Sequence, residues 1–195
     1  MSILLIILII LGVVGIYIWQ TYNFFVTTKT RIGASIQEIG NQLKRQANLI
    51  PNLIESTKGY LEHEKGIYEK ITQAREKVAQ AAGSQNAQEM VDAAQSLGQA
   101  LGGIQVVVES NPELKASETV QKLMEELRDT ADKIMYARRT LIDLTADYNT
   151  RLATFPSNLV GKMFKFSTER GLKTENVEEV TSVSVEETKN PEVKL

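Results

Sequence analysis

The chain has no cysteine, one histidine, one tryptophan and four prolines in 195 residues. Without cysteine there is no disulfide, no thiolate metal site, no thiol nucleophile and no thiol to carry a lipid. A lone His63 leaves a histidine relay or a His-based metal centre without partners. Charge of one sign is also scarce: 22 Lys and Arg stand against 24 Asp and Glu, a formal net charge of -2. So even a balance points neither to nucleic acid nor to an acidic solvating chain. There is no phosphate loop, no nucleophile motif and no paired-carboxylate signature. These absences predict a protein that is not an enzyme and that takes no cofactor and no metal. A hydrophobic content of 43% and a charged content of 24% nonetheless predict a packed domain.

What is present begins at the N-terminus. From Ile3 to Trp19 every residue is apolar, Gly, Tyr or Trp, and the first charged side chain is Lys29. Together with the uncharged stretch to Phe25 this reaches the length that crosses a bilayer core of about 30 Å. A cleaved signal peptide would want a basic start and an Ala-x-Ala site, and neither is there. Residues 1–20 are therefore expected to form a single transmembrane anchor. Tyr17, Trp19, Tyr22, Phe24 and Phe25 cluster at its end, as in an interfacial aromatic belt. Lys29, Arg31, Lys44 and Arg45 follow the span and no Lys or Arg precedes it. The positive-inside rule then predicts a single-pass protein of the plasma membrane, its short N-terminus outside and its domain in the cytoplasm.

Beyond the span, apolar residues recur at helical spacing. The first series is Phe25, Ile32, Ile36, Ile39, Leu43 and Ile50; the second runs from Leu53 through Ile71 to Val78. The third runs from Ala87 through Leu97 to Val108, and the fourth repeats by sevens at Val120, Leu127, Ile134, Leu141, Tyr148 and Phe155. Pro51, Asn111-Pro112 and Pro156 fall where series stop, and Asn86 with Glu89 resembles a capping box. The expected fold is all-α: an N-terminal transmembrane helix continuing into an antiparallel four-helix bundle with long helices over residues 21–155. The alternative keeps Pro51 inside one longer helix. In an up-down arrangement the Pro51 and Pro112 turns lie far from the membrane. The Gly83–Asn86 loop and the end of the fourth helix come back to it.

Residues 156–166 carry large apolar side chains and two lysines, which suits an amphipathic membrane-proximal segment. The expected membrane contacts are Trp19, Tyr22, Phe24, Lys162, Phe164, Lys165 and Phe166; the plainer alternative is a hydrophobic cap on the bundle. Residues 167–195 hold seven acidic and four basic residues and no aromatic, the composition of a disordered acidic tail. Its stretch from Val177 to Val185 could pair as a strand with a partner.

The residues on these helices resemble the LemA family. The longest match runs Gln42-Leu43-Lys44-Arg45-Gln46-Ala47-Asn48-Leu49-Ile50-Pro51-Asn52-Leu53-Ile54 and on through Lys58-Gly59-Tyr60 to His63-Glu64. Shorter ones are Thr21-Tyr22-Asn23, Ala74-Arg75, Asn111-Pro112-Glu113-Leu114-Lys115, Ala137-Arg138-Arg139, Asp147-Tyr148-Asn149 and Phe155-Pro156-Ser157-Asn158. Departures fall at Gly40-Asn41, where the family usually has an Asp-Val pair, at Ile36 in place of a common Trp, and at Leu141-Ile142 in place of a Tyr-Asn pair. The resemblance implies a bundle of long antiparallel helices and no defined activity.

Candidate sites are few. Glu62-His63-Glu64 cannot chelate one ion together, because adjacent helical residues point about 100° apart. Lys44, Arg45, Asn48 and Asn52 could form a polar partner surface, or could merely stabilise a helix end. Tyr60 and Tyr148 sit in apolar series and are expected in the core with their hydroxyls bonded. Gly98, Gly102 and Gly103 predict close helix packing. The function expected is a scaffold or adaptor at the membrane, holding an unidentified membrane or cytoplasmic protein or a second copy of itself. Membrane lipid is the other expected partner and nucleic acid is not. The alternatives are a membrane-shaping protein and, below it, an accessory subunit of a membrane enzyme.

Overall fold

A computed structural model describes residues 2–61, 65–84 and 86–172, and among them every element is helical. The helices are α1 (Ser2–Leu61), α2 (Lys65–Ala81), α3 (Ala87–Ser110), α4 (Pro112–Ala116), α5 (Glu118–Ala153) and α6 (Ser157–Met163). α1 runs from the apolar N-terminus into the core without interruption. Residues 3–17 are exposed throughout, and the burial that marks the domain starts at Thr21 and Phe25.

The expected break at Pro51 does not occur: α1 continues through it to Leu61, and α2 begins at Lys65. An interior proline removes one backbone bond and costs about 3 kcal/mol. The buried stripe explains why the helix carries on. Leu43, Gln46, Ile50, Leu53 and Thr57 lie one or two turns apart on the same face, all at most 3% exposed, and the proline sits between them. Ending the helix at Ile50 would take Leu53 and Thr57 out of register with that face, which costs more than one hydrogen bond.

α1 packs against α2, α3, α5 and α6. Its contacts with the C-terminal half pair Phe25 with Tyr148, Arg45 with Glu126 and Tyr60 with Glu113. Residue numbers rise along one side of this seam as they fall along the other. α3 lies beside only the outer part of α1, where Met90 covers Gly40 at 3.3 Å from the position of a Cβ. The Gly83–Asn86 turn therefore sits about twenty residues, or roughly 30 Å of helix, beyond the candidate span. It does not return to the base as expected, because a 17-residue α2 is too short to retrace α1.

The helix starts are set locally. Asn86 Oδ1 accepts from the Gln88 amide at 3.1 Å, and its Nδ2 donates to Glu89 at 2.8 Å. Asn86 and Glu89 thus pair through their side chains, but not as the expected capping box, because the Asn86 amide donates to Ser84 Oγ at 3.3 Å instead of to Glu89. Asn111 makes no capping bond; its Nδ2 donates instead to the Val107 carbonyl at 2.7 Å, tying α4 to the end of α3. Ser117 caps α5 through the Val120 amide. α5 ends at Ala153, so Phe155 drops off the seven-residue seam and stands 79% exposed. A cis Phe155–Pro156 bond follows, then α6. α6 closes with the Phe166 amide donating to the Gly161 carbonyl at 2.9 Å and the Lys165 amide to Lys162. Lys165 takes φ 57°, which is the Schellman arrangement with a residue other than glycine in the left-handed position.

That turn sends the chain back along the helices. Residues 167–172, expected to open the disordered tail, pack as a strap on α1 and α5. The Glu169 amide donates to Asn149 Oδ1 at 3.0 Å, Asn149 Nδ2 donates to the Glu169 carbonyl at 2.9 Å, and Lys29 meets the Glu169 carboxylate at 2.7 Å. Leu172 rests against the core. Composition misses this docking because two of its three polar links use the strap's backbone. Residues 173–195, with the Val177–Val185 stretch, lie outside the described residues, as does Glu62-His63-Glu64.

Candidate functional site

Three surfaces carry the features that chemistry or recognition could use. The first is the polar stripe on α1. Lys44, Asn48 and Asn52, spaced by four, are all exposed on one face. Arg45 is exposed too, but points elsewhere and pairs with Glu126 of α5 at 3.4 Å. The four residues thus form a three-residue stripe and a separate ion pair. Helix-end stabilisation no longer accounts for the lysine and arginine, since α1 continues for four more turns.

The second surface is the base, where the candidate span meets the domain. Tyr22 packs on Phe164 at 4.7 Å and on Phe166 at 5.8 Å between ring centres. Phe25, fully buried, meets Phe166 at 5.0 Å and Tyr148 at 5.4 Å. Phe24 lies beneath the Arg151 guanidinium, 3.8 Å from its ring centre. Of the expected membrane contacts, Phe24 and Phe166 are therefore engaged with the domain itself. Trp19, Lys162, Phe164 and Lys165 stay exposed, Tyr22 marginally so. The cap that was the plainer reading forms, with Gly161 close enough to α5 that a Cβ would lie 2.5 Å from Leu152 Cδ1. Two of its outward side chains, Leu159 and Met163, were not singled out by spacing. Their separation by four residues was the signal.

The third surface is an open cleft of about 600 Å³ between α1 and α5, on the inner half of the domain that α2 and α3 leave uncovered. Arg31, Ser35 and Glu38 line one wall, and Asp129, Asp132, Lys133, Tyr136 and Thr140 the other. Lys133 is held by Asp129 at 2.7 Å. Tyr136 and the adjacent Met135 are 75% and 65% exposed. Sequence spacing passed over this cleft, because Met135 and Tyr136 look like surplus members of the α5 core series.

Two tyrosines expected in the core behave differently. Tyr60 is half-buried and its hydroxyl donates to Glu113; that bond, then desolvation, raises its pKa above the ordinary 10.0. Tyr148 is fully buried, its hydroxyl has no partner, and desolvation pushes its pKa up. Of the three glycines expected at a helix interface only Gly103 serves one, where an added Cβ would lie 3.5 Å from Ile67; Gly98 and Gly102 face open space. Among the described residues no cluster of three acidic or histidine side chains could hold a metal ion. The cleft carries charges of both signs, whereas the stripe carries a single lysine.

Residues 35–186 match the LemA family, more than three quarters of the chain. The chain belongs to the LemA family. The LemA match begins after the candidate span and covers the outer part of α1, α2 to α6 and the strap. It also runs past Phe166, beyond which a disordered tail was expected, and so includes the docked residues 167–172. No curated protein matches the chain. LemA membership assigns no reaction to any of the three surfaces.

Proposed function

We propose that this LemA protein is a membrane-tethered scaffold, a non-enzymatic bundle of antiparallel helices that stands on the bilayer and holds another protein beside it. One observation carries the reading: a single 60-residue helix is both the candidate span and the central rod of the domain. Residues 3–17 expose nothing but apolar and small side chains up to Tyr17, a surface that lipid covers and water does not. With no break between that surface and Phe25, the domain cannot swivel on a flexible linker. It presents its stripe and cleft at fixed heights above the membrane. The seam pairs 25/148, 45/126 and 60/113 support the antiparallel order. The basic residues after the span favour a cytoplasmic domain at the plasma membrane.

The partner surface is the Lys44–Asn48–Asn52 stripe together with the cleft below it. In-cell photo-crosslinking from Asn48 and Tyr136, with Gln99 on exposed α3 as control, tests this. The expected result is a discrete adduct from Asn48 or Tyr136 that Gln99 does not give. Adducts no different from the control at both positions would sink the scaffold reading. A second reading, a protein that shapes membranes, draws on the exposed apolar base. Deformation of vesicles by the purified chain would favour it.

A further inference from the structure

The base of the domain is built differently from its sides. α6 turns Ser157, Val160 and Gly161 inward against α5 and α1, a burial that leaves the opposite face free. On that face Leu159 and Met163 are each 56% exposed, with Phe155 one turn before them at 79%; Phe164, on the side of the buried residues, packs on Tyr22 yet stays 44% exposed. An outward face of a surface helix is ordinarily polar, and a cluster of large apolar side chains there marks an interaction surface. Its height is fixed by Tyr22, which holds Phe164 at 4.7 Å. Tyr22 lies three residues past Trp19, roughly 4.5 Å of rise. The headgroup layer beyond the hydrocarbon core is roughly 5–7 Å deep on each side. Residues 155–166 contain Lys162 and Lys165 and no acidic residue.

We propose that this base is a lipid-binding surface in its own right: α6 lies in the headgroup layer, Leu159, Met163 and Phe164 reach into the upper acyl region, and Lys162 and Lys165 engage anionic lipid phosphates. The inference rests on the reading of α1 as a membrane span. It adds a second foothold beside the first. Burial of the apolar face supplies the affinity, and the two lysines add attraction to an anionic leaflet. Lipid is the occupant because Phe164, at the end of α6, packs on Tyr22, within one turn of the end of the apolar span. Two footholds on one rigid helix would fix the tilt of the domain, which a single span leaves free.

The full chain, reconstituted in vesicles, gives the test. As it has no cysteine, Leu8→Cys, Leu159→Cys, Met163→Cys and Tyr136→Cys each place one environment-sensitive fluorophore. Brominated lipid should quench the labels at 8, 159 and 163 and leave the label at 136 untouched. With phosphatidylserine present, quenching at 159 should deepen. Lys162→Glu combined with Lys165→Glu should remove that increment without changing position 8 or the helical circular dichroism. If 8 is quenched while 159 and 163 match 136, the base stands in water and the inference fails with the anchor intact. Labels at 159 and 163 that are shielded from water yet unquenched mean that protein covers the face, and the inference fails again. Loss of quenching at position 8 would bring down the anchor and the foothold together.

Discussion

Near the candidate span α1 and α5 meet with only α6 and the strap to cover them, and rings fill the seam: Phe25, Tyr148, Phe166, Tyr22 and Phe164. Beyond Gly40, α2 and α3 join, and the filling turns aliphatic, with Leu43, Ile50, Leu53, Ile71, Leu97, Ile104 and Leu127 all at most 2% exposed. The contrast follows from geometry. Where α1 and α5 meet alone they enclose little volume, so wide side chains and a strap close the gap; where α2 and α3 also pack on α1, branched aliphatic chains fill the core. The inner half should therefore be the more fragile, since each of its contacts is shared by few neighbours.

The strongest way to break this comparison is Phe25→Ala against Ile50→Ala. Either removes a fully buried side chain and should cost roughly 3–5 and 2–5 kcal/mol respectively. The distinction lies in where protection is lost. Hydrogen exchange in detergent should show Phe25→Ala releasing amides at 145–149 and 167–172 while α2 and α3 stay protected. Ile50→Ala should loosen the outer helices. Equal loss over both halves in both variants would erase the division into two regions.

How much of each region was legible also differs. The outer core was readable, since Leu43, Ile50, Ile71, Leu97 and Leu127 follow the helical period and are buried. Pro51 misled because a proline reports a local cost, whereas the stripe from Leu43 to Thr57 is a tertiary gain summed over several turns. The position of the Gly83–Asn86 turn could have been had from length alone: α2 is less than half as long as the part of α1 beyond the span. At the base, the aromatic residues announced themselves, but not their division of labour. That Phe24 lies under Arg151 and Phe155 points outward depends on where α5 stops, and a cap moves by a residue or two without changing the pattern. The strap was invisible because Asn149 grips its backbone, which any sequence would offer.

Glycines sharpen the contrast at a smaller scale. At Gly161 an added methyl would press on Leu152, so Gly161→Ala should destabilise the inner half by about 1–3 kcal/mol. At Gly98, in the exposed face of α3 with nothing within 4 Å, the same change should stabilise by about 0.4–1 kcal/mol. Urea unfolding followed by circular dichroism reads both. Like signs would mean that α6 yields around Leu152 and is not pinned there.

Tyrosine hydroxyls offer a third comparison. Tyr148→Phe deletes a buried hydroxyl with no partner and should gain about 1 kcal/mol in the inner half. Tyr60→Phe, in the outer half, breaks a bond to Glu113 and should bring no gain. A loss of stability in Tyr148→Phe would show that its hydroxyl is satisfied in solution.

The smallest effect expected is electrostatic and tests whether the strap is held by charge as well as by Asn149. The hydrogen bond to Glu169 is the largest cause raising the Lys29 pKa above its ordinary 10.5. A raised value means that the folded state favours the protonated lysine. Its contribution is complete below 10.5 and fades as pH rises through the folded value. The raised Tyr148 pKa acts in the same direction, since burial favours the neutral phenol and ionisation above its ordinary 10.0 opposes the fold. Lys29 is 53% exposed, so screening limits its pair with Glu169 to a few tenths of a kcal/mol, at most about 1. Glu169→Gln should therefore weaken the protein slightly at about pH 8, and the difference from the parent should fade as pH rises past the ordinary lysine range through the raised folded value. Were the difference to persist at the higher pH, the strap would owe that increment to hydrogen bonding by the Glu169 side chain and not to the lysine charge.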